Sequence, residues 1–155
     1  MTSLRIPSKF ELDVAMFNET YKLGNFHSRA DVIERMKTFK AMLAEELDEI
    51  DDIIAGLELT PPITRLEAMV AYADLLGDIQ VYCASEMKRF DIPVQATLDI
   101  IMASNASKLG EDGLPIKRAD GKVMKGPNYW KPEPLIEAML LMHQCEGCLD
   151  PAAED

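Results

Sequence analysis

Positive charge is the scarce commodity in this chain of 155 residues: 16 Lys and Arg stand against 27 Asp and Glu, a formal net charge of −11. A surface that acidic repels phosphate backbones and anionic headgroups unless its bases are gathered locally, so nucleic acid and membranes are disfavoured as partners. Long apolar runs are missing too. The stretch "MTSLRIPSKFELD" has no apolar signal core, and nothing approaches the roughly 18 apolar residues of a membrane span, so a soluble, cytoplasmic protein is expected. Cysteine is limited to Cys83, Cys145 and Cys148, which cannot all pair within one chain, and reduced thiols are expected. Histidine is limited to His27 and His143, neither with a Glu three residues before it, which excludes the Glu-x-x-His pairs of a ferritin-like di-iron bundle. In "HQCEGC", His143, Cys145 and Cys148 offer three zinc donors where a structural site usually takes four.

Alternation of β-branched residues is scarce and no repeat of solenoid period occurs, while apolar residues recur at helical spacing. With 48% hydrophobic positions, the pattern points to one all-α domain over 1–155, its core at about 10–145 and a polar tail at 146–155, folded as a four-helix-bundle-like unit. Phe10, Val14, Phe17 and Tyr21 mark a first helix. Ser28 can cap a second running to Gly56, and Thr60 with the following prolines can start a third reaching Phe90. Pro93 opens a fourth helix that Gly110 closes. Residues 110–132 form an irregular basic loop with a small hairpin about "ADG", and "EPLIEAMLLMHQC" makes a short last helix.

The stretch "AEELDEIDD", residues 44–52, packs six carboxylates into nine positions of the second helix. Met36, Phe39, Leu43, Leu47, Ile50 and Ile54 form an apolar stripe, and Glu46 stands about 60° from its centre, with Glu49 one turn on and Glu45 at the rim. The third helix is apolar on nearly every side except at Asp74, Asp78 and Gln80, which predicts burial all round, with Asp74 and Asp78 stacked on one face and Glu67 on the same line. Two ionised carboxylates about 4 Å apart repel by roughly 4 kcal/mol at an effective dielectric near 20. Protonation, buried bases such as Arg65, Arg89 or Lys108, or a divalent cation must compensate. Hard oxygen donors on facing helices suit Mg²⁺ or Mn²⁺.

On the fourth helix, Asn105 falls within the expected inner face of Val94, Leu98, Ile101, Met102 and Leu109, and Lys108 leans to the same side. Lys117, Arg118, Lys122, Lys125 and Lys131 follow in the loop. Acid helices together with a basic, glycine-containing loop suit a metal-bound polyphosphate.

In combination these residues resemble the all-α nucleoside triphosphate pyrophosphohydrolases, a superfamily that includes MazG, the dimeric dUTPases and phosphoribosyl-ATP pyrophosphohydrolase. "EELDE", with Glu46 and Glu49, matches the family's Glu-x-x-Glu; "ADLLGDIQVY" stands at its Glu-x-x-Asp; "SNASKLGEDGLPIKRADGKVMKGPNYW" is similar to the Asn/Lys and basic-loop segment of MazG-like members. The likeness spans most of residues 30–131. It departs at Leu75, where the motif has Glu, although Asp74 brings a carboxylate one position earlier. The resemblance implies Mg²⁺-dependent hydrolysis of a nucleoside triphosphate to the monophosphate and pyrophosphate, with Mn²⁺ as a substitute. Glu46, Glu49, Asp74 and Asp78 would hold the metal and Glu45 would act as the catalytic base. Asn105, Lys108, Lys122 and Lys125 would bind substrate, and Asn18 and Trp130 are candidates for selectivity. It also implies a homodimer or dimer of dimers, which the apolar third helix calls for on its own, since one chain of this size offers it few neighbours. The competing class is a catalytically weak nucleotide-binding or helical interaction module.

Overall fold

The computed structural model describes residues 7–26 and 28–147, with side chains up to 143. Five helices account for its regular structure: α1 (Lys9–Thr20), α2 (Arg29–Glu58), α3 (Arg65–Arg89), α4 (Val94–Ala106) and α5 (Glu133–Gly147). Among the described residues there is no strand, only two isolated antiparallel bridges, Leu109 to Pro115 and Lys117 to Val123, so the all-α expectation holds. No helix among them is long and apolar enough to cross a membrane. The chain divides into two compact units, 1–91 and 92–155.

In the first unit α3 packs against both α1 and α2. Ser8 and Glu11 cap α1 reciprocally, satisfying backbone donors that would otherwise be orphaned, and Thr64 and Glu67 do the same for α3. Val14, Ala68, Leu75 and Ala84 form the core, with Leu75 the most buried side chain at 1% exposure. The link between α1 and α2 is tied to the end of α3: Phe26 N donates to Arg89 O at 3.2 Å and Arg89 Nε to Gly24 O at 3.0 Å.

Two helix ends differ from expectation. α2 runs through Gly56 to Glu58, because Gly56 serves a close approach rather than a left-handed terminus: a Cβ there would lie 3.0 Å from Ile63 Cδ1, and its carbonyl accepts from Ile63 N at 3.0 Å. α3 starts at Arg65, not at Thr60, because the Thr64–Glu67 capping box sets the first turn. Glu67 is thereby a capping residue and not a member of the acid line. Nor is α3 buried all round: Leu66 (72%), Val70 (62%), Met69, Tyr72 and Leu76 are exposed.

In the second unit α4 pairs with α5. α4 ends at Ala106 with Ser107 as its C-cap, short of Gly110. The expected hairpin is present: Arg118 N donates to Lys122 O at 2.8 Å, Gly121 N to Arg118 O at 2.8 Å, and Met124 N to Ile116 O at 2.7 Å.

Candidate functional site

α2 and α3 run antiparallel, since Gly56 meets Ile63 at the turn while Arg35 meets Glu86 at the far end. Between these anchors Glu46 faces Asp78 and Tyr82. The covered side of α2 is rotated away from the expected stripe. Arg35, Phe39, Met42, Glu46, Ile50 and Ile53 are partly buried, while Met36, Leu47 and Ile54 are exposed. Positions 35, 39, 42, 46, 50 and 53 follow the three-four spacing of a helix–helix seam, so Glu46 lies along the seam, with the exposed Glu49 one turn on at its edge.

Partial burial, then the neighbouring carboxylates of Glu49 and Asp78, push the Glu46 carboxyl above its ordinary value; a hydrogen bond with the Tyr82 hydroxyl pulls the other way, and Glu45 adds a smaller push upward. Tyr82 is itself raised, by its burial first and then by Glu46 and Asp78. None of the ion pairs among the described residues involves Glu45, Glu46, Glu49, Asp74 or Asp78. The expectation that Asp74 and Asp78 are buried is corrected: both are exposed, because Leu75, between them, is the residue that α3 turns into the core. Glu45 and Glu49 are exposed as well. Among the described residues no three His, Cys, Asp or Glu side chains stand already gathered as a metal cage.

Sequence periodicity missed the second feature of this seam. Arg35 clasps Glu86 through Nε, at 3.0 and 2.8 Å, and Nη2, at 2.7 Å, with both side chains nearly buried; Arg89 Nη1 stands 3.8 Å from the same carboxylate. Burial, and then the Arg35 charge, depress the Arg89 guanidinium, against the pull of Glu86. The signal lay in a ladder four residues apart, Asp74, Asp78, Tyr82 and Glu86, which continues past the acidic pair. Arg65, Arg89 or Lys108 were the alternative to a cation as partners of the two aspartates, and Arg89 serves Glu86 instead. Asn18 is buried, its Nδ2 donating to Ser85 O at 3.1 Å and its Oδ1 accepting from Ser85 Oγ at 2.5 Å.

In the second unit Asn105 is exposed rather than part of an inner face, and its Oδ1 accepts from Lys108 Nζ at 2.7 Å, which joins two of the expected substrate-binding residues. α4 turns Val94, Thr97 and Ser104 inward, leaving Leu98 and Met102 exposed on the side where Asn105 lies. The basic loop folds back on the end of α4. Gly126 N donates to Lys108 O at 3.0 Å, in a contact so close that a Cβ on Gly126 would fall 2.0 Å from Leu109 O. Ser104 and Ser107 hold the Trp130 backbone, at 2.9 and 3.2 Å. Lys122 and Lys125 are exposed, with Lys125 Nζ 4.5 Å from the centre of the Tyr129 ring. The side chain of Cys145, and Cys148 altogether, lie outside the described residues, as does His27.

No protein-family model matches the chain, and no curated protein matches it. A solved structure named for a "putative NTP pyrophosphohydrolase" from Exiguobacterium sp. 255-15 aligns with 92% of this chain and 99% of its own, at a TM-score of 0.55 and 22% sequence identity. A likeness at that identity is one of fold.

Proposed function

We propose that this protein is a nucleotide pyrophosphohydrolase, dependent on Mg²⁺ or Mn²⁺, that splits a nucleoside triphosphate or close relative into the monophosphate and pyrophosphate and serves the cytoplasmic nucleotide pool. The observation that carries this reading is the carboxylate patch of the α2–α3 seam. Glu46, Glu49 and Asp78 stand near enough to raise the first of them, and among the described residues no ion-paired base relieves their charge. The fold shared with a structure bearing that name points the same way.

The donor chemistry fits a hard divalent cation, which takes oxygen ligands and tolerates several negative ones. Glu46, Glu49, Asp74 and Asp78 would hold it, drawn together from their present open arrangement. When bound, Mg²⁺ would neutralise phosphate oxygens and lower the pKa of a coordinated water. Tyr82 stands beside Glu46, where its hydroxyl favours the ionised carboxylate. Glu45, exposed beside Glu46, is assigned to orienting and deprotonating the attacking water. Asn105, Lys108, Lys122 and Lys125 are assigned to phosphate and sugar recognition, and Lys-to-Ala variants are expected to raise KM more than they lower kcat. The exposed apolar side chains of α2 and α3 support assembly into a homodimer or dimer of dimers.

A panel of canonical, deoxy and modified nucleoside triphosphates, assayed for pyrophosphate with each metal, tests the proposal. Release from at least one nucleotide, abolished by chelator, is expected. No release from any of them would leave the binding module as the better description.

A further inference from the structure

Both ends of the basic loop are tied to the last turn of α4. At the near end Lys108 N donates to Asn105 O at 3.2 Å; at the far end Gly126 N returns to Lys108 O at 3.0 Å, so the segment 108–126 is closed on itself. The approach leaves no room for a side chain. A Cβ on Gly126 would lie 2.7 Å from Leu109 C and 2.9 Å from Lys108 O, backbone atoms that cannot swing aside as the tip of a side chain can. Gly113 and Gly121 in the same loop differ, since each has a positive φ, 75° and 85°, and open space where a Cβ would stand. Those two serve turns, whereas Gly126 serves a contact.

A second tie follows at once. Pro127 and Asn128 make a turn in which Tyr129 N donates to Gly126 O at 3.2 Å, and the turn delivers the Trp130 peptide to two serines of α4 and its C-cap. Ser104 Oγ donates to Trp130 O at 2.9 Å, while Ser107 Oγ accepts from Trp130 N at 3.2 Å and donates to Ser104 O at 2.7 Å. Ser104 is only 3% exposed, so water is no substitute for the partner it has.

The residues assigned to phosphate and sugar ride on this closure. Lys108 supplies the carbonyl that Gly126 meets, and its Nζ engages Asn105 Oδ1; Lys125 precedes Gly126 in the chain, and Lys122 stands in the hairpin just before it. Three lysines gathered in this way repel one another, and the backbone ties oppose their separation. We propose that Gly126 is a positioning residue for anion recognition: the missing side chain lets the loop close on α4, and Ser104 and Ser107 lock it through Trp130. Lys122 and Lys125 are thereby held beside the Asn105–Lys108 pair before any ligand arrives, which removes the cost of ordering the loop on binding. The inference rests on the pyrophosphohydrolase reading for the identity of the anion, but the closure does not.

Trp130 is the one tryptophan of the chain, so its emission reports the tie without a label. Gly126→Ala is expected to red-shift that emission while leaving the helical circular dichroism unchanged. For the nucleoside triphosphate turned over best, it is expected to raise KM at least about tenfold while kcat falls less than about threefold. Ser107→Ala removes the acceptor of Trp130 N without adding bulk, and is expected to move emission and KM in the same direction, KM by at least about threefold. Lys125→Ala is expected to add less than about threefold to KM in the Gly126→Ala background, because the loop that carries it is already displaced. A wild-type KM in Gly126→Ala, an equal loss in kcat, or full additivity with Lys125→Ala overturns the inference, whatever the emission does. Should Gly126→Ala lose its helical signal, Ser107→Ala decides by the same KM-against-kcat comparison. If the wild type releases no pyrophosphate from any nucleotide, the hydrolase reading fails, and calorimetry with inorganic tripolyphosphate takes the place of KM. Binding weakened at least about tenfold by Gly126→Ala then upholds the positioning role, and equal or absent binding overturns it.

Discussion

Glu46 is the residue on which the chemistry of the seam turns, because its surroundings oppose its charge. Its carboxyl titrates above the ordinary 4.5, through burial and then the nearby acids, so the folded chain binds that proton more tightly than the unfolded one. Linkage fixes the sign. In the window from 4.5 up to the raised value, the metal-free fold loses stability as pH rises, and above it ionised Glu46 is a standing cost. Glu46→Gln is therefore expected to melt higher than the wild type at neutral pH without metal, with the difference shrinking as pH falls toward 4.5. Thermal melts of the two proteins across that range check it, and a difference that grows on acidification would contradict the sign. Glu67 behaves oppositely, since its hydrogen bonds to Thr64 hold it below the ordinary value and its contribution is lost on acidification. Glu49→Gln keeps shape while removing one ligand charge; it is expected to fold normally and to lose about a hundredfold or more of the metal-dependent rate, read as pyrophosphate release. The partly covered position of Glu46 was legible in helical periodicity, whereas the rotation that exposes Met36, Leu47 and Ile54 was not. The Arg35–Glu86 clasp was not, because nothing in local pattern pairs residues 51 positions apart.

Helix α3 shows where local chemistry decides an element and where it does not. Its end near Phe90 and the starts of α2 and α4 followed from caps and prolines readable in the sequence. Its start did not, since both Thr60 and Thr64 precede acceptable first turns and only the second is completed by an acid three residues later. Burial of Asp74 and Asp78 failed for a tertiary reason: one helix can turn only one side toward its neighbours, and Leu75 took it. The pairing of α2 with α3 depends on the Arg35–Glu86 clasp. Arg35→Met alone leaves a nearly buried carboxylate with only Arg89, at 3.8 Å, and is expected to cost about 3 kcal/mol in urea unfolding, whereas Arg35→Met with Glu86→Leu recovers only part of it, because Arg89 then loses its carboxylate. Similar losses in the single and double variants would show that packing, rather than the unpaired charge, carries the effect.

At the scale of the whole molecule, the exposed faces of α2 and α3 carry Met36, Leu47, Ile54, Leu66, Met69 and Val70, more apolar surface than a lone soluble chain usually shows to water. Light scattering is expected to give a mass of two or four times 17.3 kDa, and Leu66→Glu to lower it; a monomer mass for the active wild type would remove the oligomer from the picture. The fold class was legible because helical spacing persists along nearly the whole chain, while the division at residue 91 left no composition break to read. What ties these scales together is the proposal that carboxylates from two helices would act as one cation site for cleaving a polyphosphate between its α and β phosphorus atoms. ³¹P NMR of dUTP incubated with the protein and Mg²⁺ tests that most directly. The expected spectrum shows monophosphate and pyrophosphate growing together, with growth stopped by chelator and by Glu49→Gln; diphosphate with orthophosphate, or products that form equally well without metal, would contradict it.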